Sequence, residues 1–152
     1  MKKIIYSFAL LLGTVFTLTT LISIAFAAEG KVRVSALGIK FSTGGIGKDE
    51  VDAMHRIAKQ FSLNLVFSAG AGSAATNVNA VIFNETGDAV FRIKGAYPLL
   101  YVDLPAGKYR ILANYHGLKQ GYTVDISSEK NKQLILNWPD EVEEDTKELE
   151  IK

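Results

Sequence analysis

The 152-residue chain contains no cysteine. That absence excludes a disulfide framework, a lipid-modified N-terminal cysteine and any thiolate metal site. Histidine is nearly as scarce: with only His55 and His116, a structural zinc site would have to recruit carboxylates. An excess of either charge is also missing. The formal net charge is +1, and without Lys2 and Lys3 the remainder carries 15 basic against 16 acidic residues. So balanced a composition has no surplus to attract nucleic acid, and no nucleic-acid partner is expected.

What the chain does have begins at its N-terminus. Lys2 and Lys3 precede an apolar run over residues 4–26 that closes on Ala25-Phe26-Ala27, small residues at the spacing signal peptidase accepts. Residues 1–27 are therefore expected to form a signal peptide, cleaved before Ala28, which makes the protein periplasmic or secreted. An uncleaved anchor is the competing outcome, because the run could nearly span a bilayer; Thr14, Thr17, Thr19 and Thr20 dilute it and favour cleavage. Membrane contact is expected only through this leader before its removal. About 125 residues remain, the usual size of a single-core domain.

Beyond the leader the pattern divides into three parts: an extension over 28–76, a β-sandwich domain over 77–139 and an acidic tail over 140–152. In the extension, residues 31–37 alternate well enough for a short strand, which Gly38 and the Ser42-Thr43-Gly44-Gly45 cluster then interrupt. Val51, Met54, Ala58 and Phe61 recur at helical steps, with Gly47 as cap and Asp49 and Glu50 in the first turn, so 48–61 is expected to be an amphipathic helix. Residues 63–67 read as a strand. The small residues of 69–76 read as a flexible join and a boundary.

From there, short strands are expected over 78–83, 89–93, 99–104, 109–115, 122–126 and 133–138, separated by turn residues. Alternation points Val78, Ala80, Ile82, Leu100, Val102, Leu104, Tyr109, Ile111, Ala113, Leu134, Leu136 and Trp138 into the core. It leaves Val81, Phe83, Leu99, Tyr101 and Leu112 on an outer face too apolar for open water if those strands share one sheet. The helix stripe is expected to cover that face. The run from Asp140 to Glu150 has little to bury and is expected to be a solvated tail or a frayed helix.

Over residues 78–124, three motifs carry a family resemblance: Val-x-x-x-Ile-Phe-Asn-x-x-Gly, then Leu104-Pro105-Ala106-Gly107-Lys108-Tyr109, then Ala113-x-Tyr115-x-Gly117. Together they resemble the carboxypeptidase regulatory-like domain, and the segment from Ser42 through the helix resembles a leader on small exported bacterial members of that family. The resemblance implies a mainly β protein: a Greek-key-type antiparallel β-sandwich, transthyretin-like (prealbumin-like), with one N-terminal amphipathic helix. It also implies a carbohydrate-binding-like fold used as a non-catalytic module beside catalytic or transport domains.

Motifs for chemistry are thin. Residues 42–49 superficially suggest a phosphate loop, yet Ser42 stands where glycine is needed and Asp49 where serine or threonine is needed. The least implausible hydrolase set is His116, Ser127 and Asp125, and no motif supports it. Asn84-Glu85-Thr86 matches a glycosylation sequon but reads as an ordinary turn. Aromatic rings remain as sugar platforms: Tyr122 and Trp138 align inward, whereas Tyr97 and Tyr101 are expected to be exposed. The expected function is therefore an exported, non-catalytic binding module of the cell envelope with an envelope protein or glycan as partner, no catalytic residues, no cofactor and no metal. Its expected surface comprises Tyr97, Tyr101, Gly107 and His116. The alternative is a small periplasmic hydrolase.

Overall fold

A computed structural model describes residues 30–128 and 131–139. The leader and the tail from Asp140 lie outside the described residues. The protein is mainly β, the described residues forming ten strands in two sheets and one α-helix.

Sheet A contains β1 (Arg33–Val34), β2 (Lys40–Gly44), β7 (Leu99–Val102), β3 (Leu63–Ala69) and β10 (Lys132–Trp138) in that spatial order, with the short β4 (Ser73–Ala74) paired to β3. Its pairs are antiparallel except β3 with β10, which run parallel. Sheet B is the antiparallel set β6 (Ala89–Ala96), β5 (Val78–Phe83), β8 (Gly107–Tyr115) and β9 (Leu118–Ile126).

The two sheets pack face to face on one core. Leu63, Leu65 and Phe67 of β3, Leu100 and Val102 of β7, and Leu136 and Trp138 of β10 meet Val78, Ala80 and Ile82 of β5, Phe91 of β6, Ile111 and Ala113 of β8, and Ile126 of β9 in a single buried cluster. Each strand supplies every second residue, as the two-residue period of a pleated strand dictates. The inward set read from alternation is buried apart from Leu134, which is half-buried near the sheet edge. The Leu-Pro-x-Gly-x-Tyr turn closes as its chemistry suggests: the Tyr109 hydroxyl donates to the Pro105 carbonyl at 2.9 Å, and Gly107 opens β8 at φ 156°.

The boundary expected over 69–76 does not separate two units. Within it β4 turns back onto β3, and β3 itself lies between β7 and β10, so strands from both sides of the join share one sheet and one core. The N-terminal strand also differs from expectation. β1 is only two residues long and exposed, whereas the glycine-containing cluster after it forms β2. Small residues there are a packing requirement. A side chain on Gly44 would approach Met54 and Glu50 to 3.2 and 3.0 Å, and one on Gly45, which holds φ 103°, would meet Leu99 at 2.9 Å.

Helix α1 (Lys48–Ile57) continues into a 3-10 turn, Ala58–Gln60, and covers the outer face of sheet A. Met54, Ile57 and Phe61 pack on Leu99 and Tyr101, with Ala58 and Val66 at the margin. Phe61 and Tyr101 lie with ring centroids 6.0 Å apart, and Ser42, fully buried beneath the helix, donates to the Lys31 carbonyl at 3.1 Å. The helix end is clamped from the sheet. Asn64 donates its amide to the Ala58 carbonyl at 3.2 Å and Asn131 does so at 2.9 Å, adding to the bond of 3.3 Å that the same carbonyl accepts from the Phe61 N–H at the close of the 3-10 turn.

The expectation that this helix covers Val81, Phe83 and Leu112 as well as Leu99 and Tyr101 is corrected here. Leu99 and Tyr101 belong to β7 in sheet A, while the other three belong to β5 and β8 in sheet B, on the far side of the sandwich. Alternation assigns a residue to a face of its own strand but does not say which sheet the strand joins.

Candidate functional site

The helix covers the β7 and β3 part of sheet A's outer face, leaving Ile135 of β10 exposed at its edge, so the broad uncovered surface is the outer face of sheet B. Its register places residues in rows across the strands. Val81 stands between Arg92 on β6 and Leu112 on β8, and Leu112 is followed by Gly121 on β9. One row along, Phe83 pairs with Arg110 and Arg110 with Thr123. In the other direction Asn79 pairs with Asn114, and Asn114 with Lys119. Lys108 projects from the same face, two residues along its strand from Arg110, and Lys94 is exposed beyond Arg92, where the register between β5 and β6 shifts.

The result is an apolar floor ringed by cations. Leu112 is 40% exposed and Val81 and Phe83 are half-buried, whereas Arg92, Lys94, Lys108, Arg110 and Lys119 are exposed. The glycine at 121 shapes the floor, since a side chain there would meet the Leu112 Cδ2 atom at 3.1 Å. The Arg110 guanidinium lies 4.9 Å from the Phe83 ring centroid and that of Arg92 lies 6.0 Å from it. Attraction between a guanidinium and the ring face contributes roughly 0.5–1 kcal/mol at such an exposed site.

Among the described residues none of these five cations forms an ion pair; the recorded pair is Lys48–Asp52 on the helix, at 2.6 Å. Among the described residues Asp125 is the one carboxylate on the face, opposite Lys108 in register. The face is therefore predominantly basic, five cations to one carboxylate, with two guanidinium forks free to take carboxylate or phosphate oxygens in paired N–H···O geometry.

The surface residues expected from sequence fall elsewhere. Tyr101 is 3% exposed and lies under Phe61, so its expected role as an exposed ring is corrected; burial also pushes its phenol above the ordinary tyrosine range. Tyr97 is exposed, with its backbone N–H held by Thr43 Oγ1 at 2.9 Å. His116 is exposed at the β8–β9 turn, at φ 50° and with its ring 4.2 Å from that of Tyr115. Gly107 begins β8 at the opposite end of the strand, where Asn84, Thr86, Lys108 and Tyr109 line a shallow cleft of about 200 Å³. In that end loop the Thr86 hydroxyl donates to Asp88 at 2.6 Å and, with the Asn84 amide, holds the carboxyl below its ordinary range. The four residues thus do not form one surface.

The hydrolase set is not brought together either. His116 precedes the nine-residue β9, while Asp125 and Ser127 stand at its far end, roughly 25–30 Å along an extended strand. His55 is exposed on α1. Among the described residues no three His, Asp or Glu side chains cluster as a metal site would need, and no helix is long and apolar enough to cross a membrane.

Sequence reasoning missed the five cations because charge was counted over the whole chain. The signal was present as alternation: Phe91-Arg92-Ile93-Lys94 and Lys108-Tyr109-Arg110-Ile111 place a cation at every outward position between buried apolar ones. In comparisons with known proteins, neither a family model nor a curated protein matches this chain. The fold and the site define a two-sheet, mainly β protein of sandwich type with one helix-covered face and one basic face.

Proposed function

We propose that this protein is an exported, non-catalytic binding module of the cell envelope, and that its working surface is the outer face of sheet B, which takes an anionic envelope glycan. The observation that carries this reading is the cluster of five exposed cations, without ion-pair partners among the described residues, around the apolar floor of Val81, Phe83 and Leu112. An exposed apolar floor alone suits many partners; a pair of arginines beside it selects for carboxylate or phosphate groups.

Hairpins β5–β6 and β8–β9 lie in sheet B, and the chain leaves that sheet for β7 and returns to it at β8. Such crossing supports a Greek-key-type, transthyretin-like sandwich, and the Tyr109–Pro105 turn supports kinship with carboxypeptidase regulatory-like domains, whose accessory modules are non-catalytic. The basic N-terminal residues and Ala25-Phe26-Ala27 support export.

The test is affinity for polygalacturonate, a polymer carrying one carboxylate per sugar. Replacing Arg92→Gln together with Arg110→Gln lowers affinity about tenfold, corresponding to about 1.4 kcal/mol. Replacing Lys48→Gln together with Lys59→Gln, two cations of the helix, leaves it unchanged. Equal losses from both pairs would show a general charge effect and overturn the assignment to this face.

A further inference from the structure

A strand at the edge of a sheet leaves a row of backbone N–H and C=O groups without strand partners, and natural edges are blunted by shortness, bulges, proline or tethering to a neighbour. Among the described residues, three of the four edges of this sandwich show such a device. β1 is two residues long, β6 carries register shifts at both ends of its pairing with β5, and β10 gives its Asn137 carbonyl to the Gln120 amide at 2.8 Å. The fourth edge, β9, is different. Its nine residues, Leu118–Ile126, pair with β8 in unbroken register and contain no proline, and among the described residues no strand pairs with their other side. The Trp138 indole reaches the first carbonyl, that of Leu118, at 3.0 Å and goes no further along the strand.

The sequence of β9 is complementary to its own reverse. Two copies laid antiparallel about a two-fold axis at Tyr122, the middle residue, overlap along the whole strand, and residues equally far from Tyr122 stand opposite one another. Lys119 then faces Asp125 of the second copy, and Asp125 faces its Lys119. Leu118, 42% exposed, faces Ile126, and Gly121 faces Thr123. Opposite charges directly across a strand pair attract, whereas like charges there are destabilising. A slip of two residues in either direction parts both charge pairs, and a slip of one sets the outer face of one copy beside the core face of the other. One register thus satisfies strand length, charge and face together.

We propose that β9 is a self-association edge, at which two copies of this chain join β9 to β9 in one eight-stranded antiparallel sheet held in register by the two Lys119–Asp125 pairs. The basic face changes with it. Asp125, its one carboxylate among the described residues, is matched by Lys119 of the second copy. Arg92, Lys108 and Arg110 of both copies then lie on one continuous surface about 34 Å across, seven strand spacings. The association does not rest on what that face binds, although a polymeric anion that reaches both halves gains affinity from it.

Charge reversal tests the register. Sedimentation velocity at low ionic strength, without glycan, should show the chain as exported to be a dimer that dissociates on dilution. Lys119→Glu alone sets two carboxylates opposite each other at both ends of the strand pair, and Asp125→Lys alone sets two ammonium groups there. Each should raise the dimer dissociation constant about tenfold or more. Mixing the two single variants should restore the dimer, because each then meets the opposite charge at both positions, and the rescue also shows that both variants fold. A chain that stays monomeric at every concentration overturns the proposal. So does a dimer that persists in both single variants, or a mixture of them that remains monomeric. The glycan reading fails separately: loss of polygalacturonate binding leaves the dimer in place, and absence of the dimer leaves the assignment of Arg92 and Arg110 in place.

Discussion

The two outer faces of the sandwich start from the same sequence pattern and end in opposite states. On sheet A, Leu99 and Tyr101 alternate outward and are sealed by Met54, Ile57 and Phe61 of the helix. On sheet B, Val81, Phe83 and Leu112 alternate outward and no element among the described residues covers them; Leu112 remains 40% exposed, and the cover is partial, from arginines lying over Phe83. The lesson is that apolar outward residues call for cover without specifying it. A helix makes the face part of the core, with each large side chain contributing about 1.5–3 kcal/mol of burial. Long cationic side chains leave it accessible, their stems over the apolar floor and their charges in water.

Substitutions can break this comparison, and the largest effect is on the covered face. Phe61→Ala is expected to lower stability by roughly 3–5 kcal/mol, as is usual for a buried aromatic truncated to alanine, read as a fall in denaturation midpoint at constant slope. Gly45→Ala, where φ is 103° and a side chain would press on Leu99, is expected to lower stability by about 1–3 kcal/mol in the same assay.

A smaller effect depends on pH. Burial raises the Tyr101 phenol, so the folded state holds this proton more tightly than the unfolded chain does. The stability this contributes is fully present below the unfolded value of about 10 and is lost as pH rises through the folded value. Tyr101→Phe should remove that alkaline loss, which denaturation midpoints followed above pH 10 would detect. The smallest effect is expected on the open face, where Leu112→Ala should change stability by less than about 1 kcal/mol.

Much of this architecture is legible in the sequence, and the reasons are local. The two-residue period of Val78, Ala80 and Ile82, or of Leu100 and Val102, reports burial directly, because each strand has one face on the core. The helix was legible from Val51, Met54 and Phe61, with only its last turn tightened into a 3-10 turn. Strand β2 was hidden because Gly44 and Gly45 read as a break, although their smallness is what lets the helix approach the sheet. The division of outward residues between two sheets was hidden for a different reason. Sheet membership depends on long-range pairing such as Asn64 with Tyr101, which no window of sequence contains. The basic face was missed because its charges are cancelled in the total by the residues beyond Pro139.

The contrast between the faces is tested most directly by chemical accessibility, since any introduced cysteine is the only one in the chain. Leu112→Cys and Leu99→Cys are compared for reaction with a thiol reagent in 1 M NaCl, where attraction of a charged reagent to the basic face is screened. The Leu112→Cys thiol should react at close to the rate of a free thiol, and the Leu99→Cys thiol only as fast as the helix opens or the protein unfolds. Equal rates at the two positions would contradict the division into a sealed face and an open one.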